Sequence, residues 1–355
     1  MSLTEEILQP DQVESLLEAL KRLIAGAGKP PFDRLSIDAT QGWTFNGTVY
    51  TQVFYPFGFE ATLMSDSLKA VIGHLAAPTF KVTDKQITVK EGGKTFRLGK
   101  MTEQCMKPGS EEPEQFTVFE GKWWRSLVPL LPKKTGFRSF SGVYAGPKGY
   151  VACDDSSLGH IDVIGPAVET IVPRELVEMM PSSMLELGVT EDGSTIWVKS
   201  ENSTWTCPAL NGTYPPWEMV FVPVDREVVV QRTTLIDALS ATTITSRDVM
   251  LDLGGIQHKL TASKVSYGEA RNESVSDAEA IIEVQGCQGG AIKQTTAGKS
   301  VLATLGRVNC AIVKLQSDEQ QTRLQIDTMD AAPPSKYVFM AVQGVDEIDY
   351  EAGLE

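Results

Sequence analysis

Three histidines and five cysteines are the residues best suited to ligation or acid–base work, and none falls at a spacing that does chemistry. His74, His160 and His258 stand far apart in the chain. None has a second His, a Cys or a carboxylate at the short intervals by which proteins hold zinc. Cys105, Cys153, Cys207, Cys287 and Cys310 are odd in number and form no CxxC pair, so they read as reduced thiols in a cytoplasmic protein. Asp154 and Asp155, with Asp162 nearby, carry enough charge for a magnesium ion. Adjacent residues on a strand point to opposite faces, however, which favours turn chemistry over metal. The glycine-rich stretches Gly286-Cys-Gln-Gly-Gly290 and Lys90-Glu-Gly-Gly-Lys94 match no phosphate loop, and the second has the form of a hairpin turn. No GxSxG and no local Ser/His/Asp signature occurs. The residue types therefore predict a protein without catalysis, metal or cofactor.

The elements that would position any site follow a repeating order: an apolar-periodic helix, a set of strands, a second helix, then a strand–turn–strand. Ala61–Met64 leads into a helix with Leu68, Val71, Ile72 and Leu75, followed by hairpin strands at Phe80–Thr83 and Gln86–Lys90. Glu169–Val172 leads into Leu176, Val177, Met179 and Met180, then strands at Met184–Thr190 and Thr195–Ser200. Ala291–Gln294 leads into Val301, Leu302, Leu305 and Val308, then Ala311–Gln316 and Thr322–Thr328. These helices start near Ser65, Pro173 and Gly298, a domain-sized interval. The other three helices are expected at Pro10–Ala25, Glu120–Leu131 and Gln231–Thr243. Further strands are expected at 35–38, 43–45, 48–54, 116–119, 136–144, 149–154, 160–163, 226–230, 249–253, 256–263 and 278–284. The pattern predicts an α+β class, three tandem domains each with two helices packed on antiparallel sheets. Their expected bounds are 1–112, 113–223 and 224–343, with an acidic tail over 344–355.

No apolar run nears the roughly 20 residues of a membrane span, and the first residues lack the layout of a signal peptide. The net charge of −14 argues against a nucleic-acid surface if taken as a whole. Its distribution argues otherwise. The six expected helices together carry +4 and the rest of the chain −18, with most of the positive charge on residues 120–134 and 297–307. Helices sharing one face would form a mildly basic lining inside an acidic shell.

Four motifs now bear on identity. Tyr150-Val-Ala-Cys-Asp-Asp-Ser-Ser-Leu158 resembles the Val-Ala-Thr-Asp-Gly-His-Arg-Leu segment of bacterial sliding clamps, the DNA polymerase III beta subunits. Glu169-Thr-Ile-Val-Pro-Arg-Glu-Leu-Val-Glu-Met-Met180 is similar to the strand-to-helix segment just downstream in that family. Asn211-Gly-Thr-Tyr-Pro-Pro-Trp217 is similar to its Gly-Arg-Phe-Pro-Asp-Tyr, and Lys336-Tyr-Val-Phe-Met-Ala-Val342 to its terminal Tyr-Val-Val-Met-Pro-Met strand. The likeness covers roughly residues 8–343, in the family's order and spacing.

The resemblance implies a head-to-tail homodimer, a ring whose helices line a hole around duplex DNA without reading its sequence. Such a ring tethers a DNA polymerase for processive replication and is placed on DNA by a clamp loader. By the same resemblance, the partner-peptide pocket would be walled by Cys153, Leu158, Pro215, Met219, Val220, Val338, Met340 and Val342. Here the sequence departs from the family: Gly-His-Arg becomes Asp155-Ser156-Ser157, which removes cationic donors from the rim and adds a negative charge. Met-Pro-Met likewise becomes Met340-Ala341-Val342. DNA-facing cations would be Arg22, Lys69, Lys122, Arg125, Arg174, Arg232, Lys299 and Arg307. The ring seam would use Phe96 and Leu98 against Ile281 and Ile282. The alternative is a clamp-fold interaction protein that does not encircle DNA and modulates a replisome.

Overall fold

The computed structural model describes residues 10–76, 78–105, 109, 111–132, 141–154, 156–221, 224–243, 249–253, 259–262, 280–283, 288–289, 292–296, 298–317 and 323–340. The first stretch runs α1 (Pro10–Gly26), β1 (Arg34–Ile37), β2 (Gln41–Phe45), β3 (Tyr50–Phe54), β4 (Ala61–Met64), α2 (Ser65–Ile72), β5 (Thr79–Val82), β6 (Gln86–Glu91) and β7 (Lys94–Gly99). Next come β8 (Phe116–Glu120), α3 (Gly121–Leu127), β9 (Gly142–Gly146), β10 (Gly149–Cys153), β11 (Ser157–Ile161) and β12 (Thr170–Pro173). They are followed by α4 (Arg174–Met179), β13 (Met184–Val189), β14 (Thr195–Ser200), β15 (Ser203–Pro208), β16 (Arg226–Gln231) and α5 (Arg232–Thr242). The remainder is β17 (Val249–Leu253), β18 (Lys259–Ala262), β19 (Ala280–Glu283), β20 (Gln288–Gly289) and β21 (Ile292–Thr296), then α6 (Gly298–Leu305), β22 (Ile312–Ser317), β23 (Arg323–Thr328) and β24 (Ser335–Met340).

Two compact units result, residues 1–121 with 175–210, and residues 122–174 with 211–355. In the first, eight antiparallel strands pair in the order β4-β1-β2-β3-β15-β14-β13-β8, beside a three-stranded sheet β5-β6-β7. β15 joins β3 through Trp205 opposite Thr51, so one sheet takes strands from both sides of the expected boundary at 112. α1 illustrates why the core forms where it does. Val13, Leu16, Leu17, Leu20 and Leu23 recur at helical spacing and are buried, while Glu14, Glu18, Lys21 and Arg22 face water. The apolar side chains pack into one cluster with Leu35, Val53, Leu63, Leu68, Ile72, Val89 and Leu98. Full burial of each such side chain contributes about 1.5–3 kcal/mol.

The second unit holds a nine-stranded sheet, β12-β9-β10-β11-β24-β23-β22-β16-β20, and a four-stranded sheet, β19-β18-β17-β21. Every residue of β10 and β11 is buried. β24 is inserted between β11 and β23, with Leu158 opposite Val338 and Gly159 opposite Tyr337. The order strand, helix, hairpin recurs at β4-α2-β5-β6, β12-α4-β13-β14 and β21-α6-β22-β23.

Several expectations need adjusting. The helix expected over 120–131 leaves α geometry after Leu127 and closes as a 3-10 turn at Val128–Leu130, because Pro129 has no N–H to donate. The strand expected at 160–163 lies at 157–161, since a tight turn at Asp154 lets the chain re-enter the sheet at once. β15 was not expected. The tail 344–355, Val342, Pro108, Ser110 and residues 136–140 lie outside the described residues.

Candidate functional site

One row of the nine-stranded sheet builds an apolar floor. Cys153 on β10 lies opposite Leu158 on β11, and Leu158 lies opposite Val338 on β24. Met340 is two residues along from Val338, so it projects from the same face. Above this floor lies a cleft of about 190 Å³ lined by Cys153, Leu158, Pro215, Val220, Val338 and Met340. The structure thus brings together six of the eight residues expected there. Met219 is not among the lining residues and is 75% exposed. The 3-10 turn Trp217–Val220 carries it outward while Trp217 and Val220 turn in.

Asp154, Ser156, Ser157, Pro216 and Trp217 complete the lining. They sit inside the very motifs that carry the resemblance, and Trp217 was legible as the large apolar end of Asn211–Trp217. The Asp154 carboxylate is engaged by the turn, where its Oδ1 accepts from the Ser156 N–H at 2.8 Å and the Ser157 N–H at 2.7 Å. Both serine hydroxyls donate to the same oxygen, at 3.2 and 2.7 Å. Ser156 in turn presents its carbonyl to the Met340 N–H at 2.8 Å, which fixes the rim to β24. Among the described residues, no group of three His, Cys, Asp or Glu side chains could hold a metal ion.

The outer wall, residues 214–221, is anchored at four points. The Tyr214 hydroxyl donates to the Val151 carbonyl at 3.3 Å and lies 3.2 Å from the Cys153 thiol, and burial pushes its acidity far down. The Trp217 ring lies 4.5 Å from His160. Lys148 Nζ pairs with Glu218 at 2.5 Å, an exposed contact of small energetic weight. Arg323, opposite Met340 in the ladder, donates to the Val220 carbonyl at 2.9 Å. That guanidinium puts a cation beside the rim of the cleft.

The expected DNA-facing cations divide into two kinds. Arg22, Lys69, Arg125, Lys299 and Arg307 are exposed, and Lys122 is half-buried. Arg174 and Arg232 are also half-buried, and their guanidinium groups cap carbonyls. Arg174 donates to Leu131 at 2.8 Å and to Pro132 at 3.1 Å, the orphan acceptors after the 3-10 turn. Arg232 donates Nε to Cys310 at 2.7 Å and a terminal N–H to Leu305, the last residue of α6, at 2.9 Å. Local chain termination, rather than an open face, fixes both side chains.

For the expected seam, β7 and β19 are each the last strand of their sheets among the described residues. Leu98 packs into the core of the first unit, and Phe96 is half-buried against it. The side chains of Ile281 and Ile282 lie outside the described residues. No described helix is long and apolar enough to cross a membrane.

Neither a family profile nor a curated protein matches the sequence. Solved structures do match in fold. DNA polymerase III subunit beta from Pseudomonas aeruginosa superimposes with a TM-score of 0.71 at 20% identity, over 93% of this chain and 98% of that one. The DNA polymerase III beta chain of Streptococcus pneumoniae gives 0.74 at 14% identity, again over 93% and 98%. The Helicobacter pylori beta clamp bound to a DNA ligase peptide gives 0.74 at 13% identity over the same shares. Along nearly its whole length, the chain has the α+β fold of the bacterial sliding clamps.

Proposed function

We propose that the chain is a divergent sliding clamp: two copies close head to tail into a ring around duplex DNA and tether a DNA polymerase, with no reaction of their own. Each copy would contribute three domains, 1–112, 113–223 and 224–343, placed on DNA by a loader in the cytoplasm. The observation that carries this reading is the apolar cleft built on the Cys153–Leu158–Val338 row, in a chain that shares the clamp fold over 93% of its length. A peptide with one or two large apolar anchors fits such a cleft, and the beta clamp of Helicobacter pylori has been solved with a DNA ligase peptide. The edges of β7 and β19, terminal in their sheets among the described residues, would join copies by extending sheets.

A second reading has one observation in its favour. Capping by Arg174 and Arg232 takes two cations from the basic lining, which suits a clamp-fold interaction protein that does not encircle DNA. Light scattering across dilution and salt separates the two. A stable species of twice 38.7 kDa that stays on nicked circular DNA and slides off after linearisation supports the ring. A persistent monomer refutes it.

A further inference from the structure

Lys122, at the start of α3, and Arg307, just beyond α6, line one open cleft of about 40 Å³ with Trp123, Ser126, Asn309 and Ser335. The two segments are neighbours in the fold, since α6 packs on the 3-10 turn that ends the α3 region. The other walls are apolar or aromatic, and among the described residues no carboxylate lines the cleft although the chain carries −14 overall. Asp330, the acid adjoining that wall, has its carboxylate engaged by the backbone N–H groups of Ala311 and Ile312 at 3.0–3.1 Å. Arg307 donates one N–H to the Arg125 carbonyl at 3.1 Å, which holds the guanidinium at the cleft with further donors in its fork.

Size and chemistry select the occupant. At roughly 10–15 Å³ for each water-sized position, the cleft holds about three such positions, too few for a base or a ring but on the scale of the oxygens of one phosphate. Two cations and a side-chain amide suit a tetrahedral anion, with the arginine fork supplying direction, while the Ser126 and Ser335 hydroxyls donate to the Trp123 and Pro333 carbonyls. We propose that this cleft seats a single phosphate of duplex DNA, gripped jointly by Lys122 and Arg307. The proposal rests on the clamp reading and deepens it: these two cations form one composite seat, whereas Arg22, Lys69 and Lys299 meet the phosphate backbone singly.

Binding of a short fluorescein-labelled duplex, followed by anisotropy across salt, tests the seat. Each phosphate contact adds about 0.9 to the slope of log K against log salt. In a ring of two copies, each with one seat, K122Q/R307Q loses about 1.8 in slope if Lys122 and Arg307 share one phosphate, and the two single losses sum to more than the double loss. Loss of about 3.6 in the double variant, or no loss at all, overturns the shared seat. R22Q/K69Q makes the same change in net charge and is expected to behave additively; equal sub-additivity there also overturns the proposal. Inorganic phosphate substituted for chloride at constant ionic strength should weaken duplex binding by the wild type more than by the double variant. Equal weakening overturns the seat. Unchanged thermal midpoints show that the variants fold. Failure of the wild type to bind duplex at all overturns the clamp reading, whereas retention on circular DNA with an unchanged slope in K122Q/R307Q overturns the seat alone.

Discussion

His160 lies against Trp217, ring centroids 4.5 Å apart and planes inclined by 36°, while its Nε2–H donates to the Lys148 carbonyl at 2.8 Å. The imidazole is 9% exposed, and burial holds its proton affinity below the usual imidazole value of 6.5. The backbone bond to Lys148 and the charges of Asp162 and Glu218 oppose that shift, and Lys336 adds to it. Because the folded state binds this proton less readily than the unfolded chain does, stability is fully present above pH 6.5. It falls as pH drops through the folded value. The urea midpoint should therefore decline below pH 6.5 more steeply in the wild type than in H160Q, which keeps a donor for Lys148. Parallel pH profiles would show that His160 does not couple the wall to pH.

The same ring contact makes Trp217 the principal aromatic surface of the apolar cleft. Truncation to alanine removes one wall and the cover over His160. Burial of a large aromatic at a binding centre typically carries 2 kcal/mol or more, so a W217A chain should bind a clamp-binding peptide on the order of 30-fold more weakly. Calorimetry with such a peptide measures this directly. An affinity within threefold of wild type would place the binding surface elsewhere.

Arg232 and Arg125 make opposite predictions despite similar positions at helix starts and ends. R232K keeps the charge but cannot reproduce the paired bonds to Cys310 and Leu305, so it should lose about 1.5–3 kcal/mol of stability with little change in the salt slope of DNA binding. R125Q, at an exposed site, should stay within about 0.5 kcal/mol in stability. Urea titrations read the first difference and anisotropy the second. A stable R232K protein would show that the carbonyl caps are energetically idle.

Gly149 opens β10 at φ +111°, and a Cβ there would lie 2.0 Å from the Ile161 carbonyl oxygen. That oxygen and the Val163 nitrogen, 3.1 Å away, are backbone atoms, so relief requires movement of β11, which carries Leu158. G149A should cost about 1–3 kcal/mol or more and loosen the cleft floor. Denaturation midpoint and peptide affinity should fall together. A fall in one without the other would uncouple the hairpin from the cleft.

Helix positions were legible because their apolar residues carry the pattern at 3.6-residue spacing: Val13, Leu16, Leu17, Leu20 and Leu23 on α1 and Val301 and Leu305 on α6 are buried as that pattern requires. Strand identity was legible where turns announced it, as at Gly92-Gly93. β15 was not, because half of Ser203–Pro208 is hydroxyl-bearing and its five buried residues owe their burial to strands on both sides. Six walls of the cleft followed from motif likeness, since each lies on a strand or turn whose register the motif shares. The engagement of Arg174 and Arg232 was not readable, because a cation that caps a carbonyl and one that faces solvent have the same sequence signature. Likewise nothing in the spacing of Lys122 and Arg307, 185 residues apart in chain order, announced that they line one cleft.

The insertion of β24 between β11 and β23 sets a condition on biosynthesis. The cleft floor needs Val338 and Met340, which leave the ribosome long after Cys153 and Leu158. A chain terminated before Ser335 lacks the strand that joins β11 to β23, so it exposes two strand edges where the sheet should be continuous and has no complete cleft floor. Open edges of that kind favour aggregation of prematurely ended products.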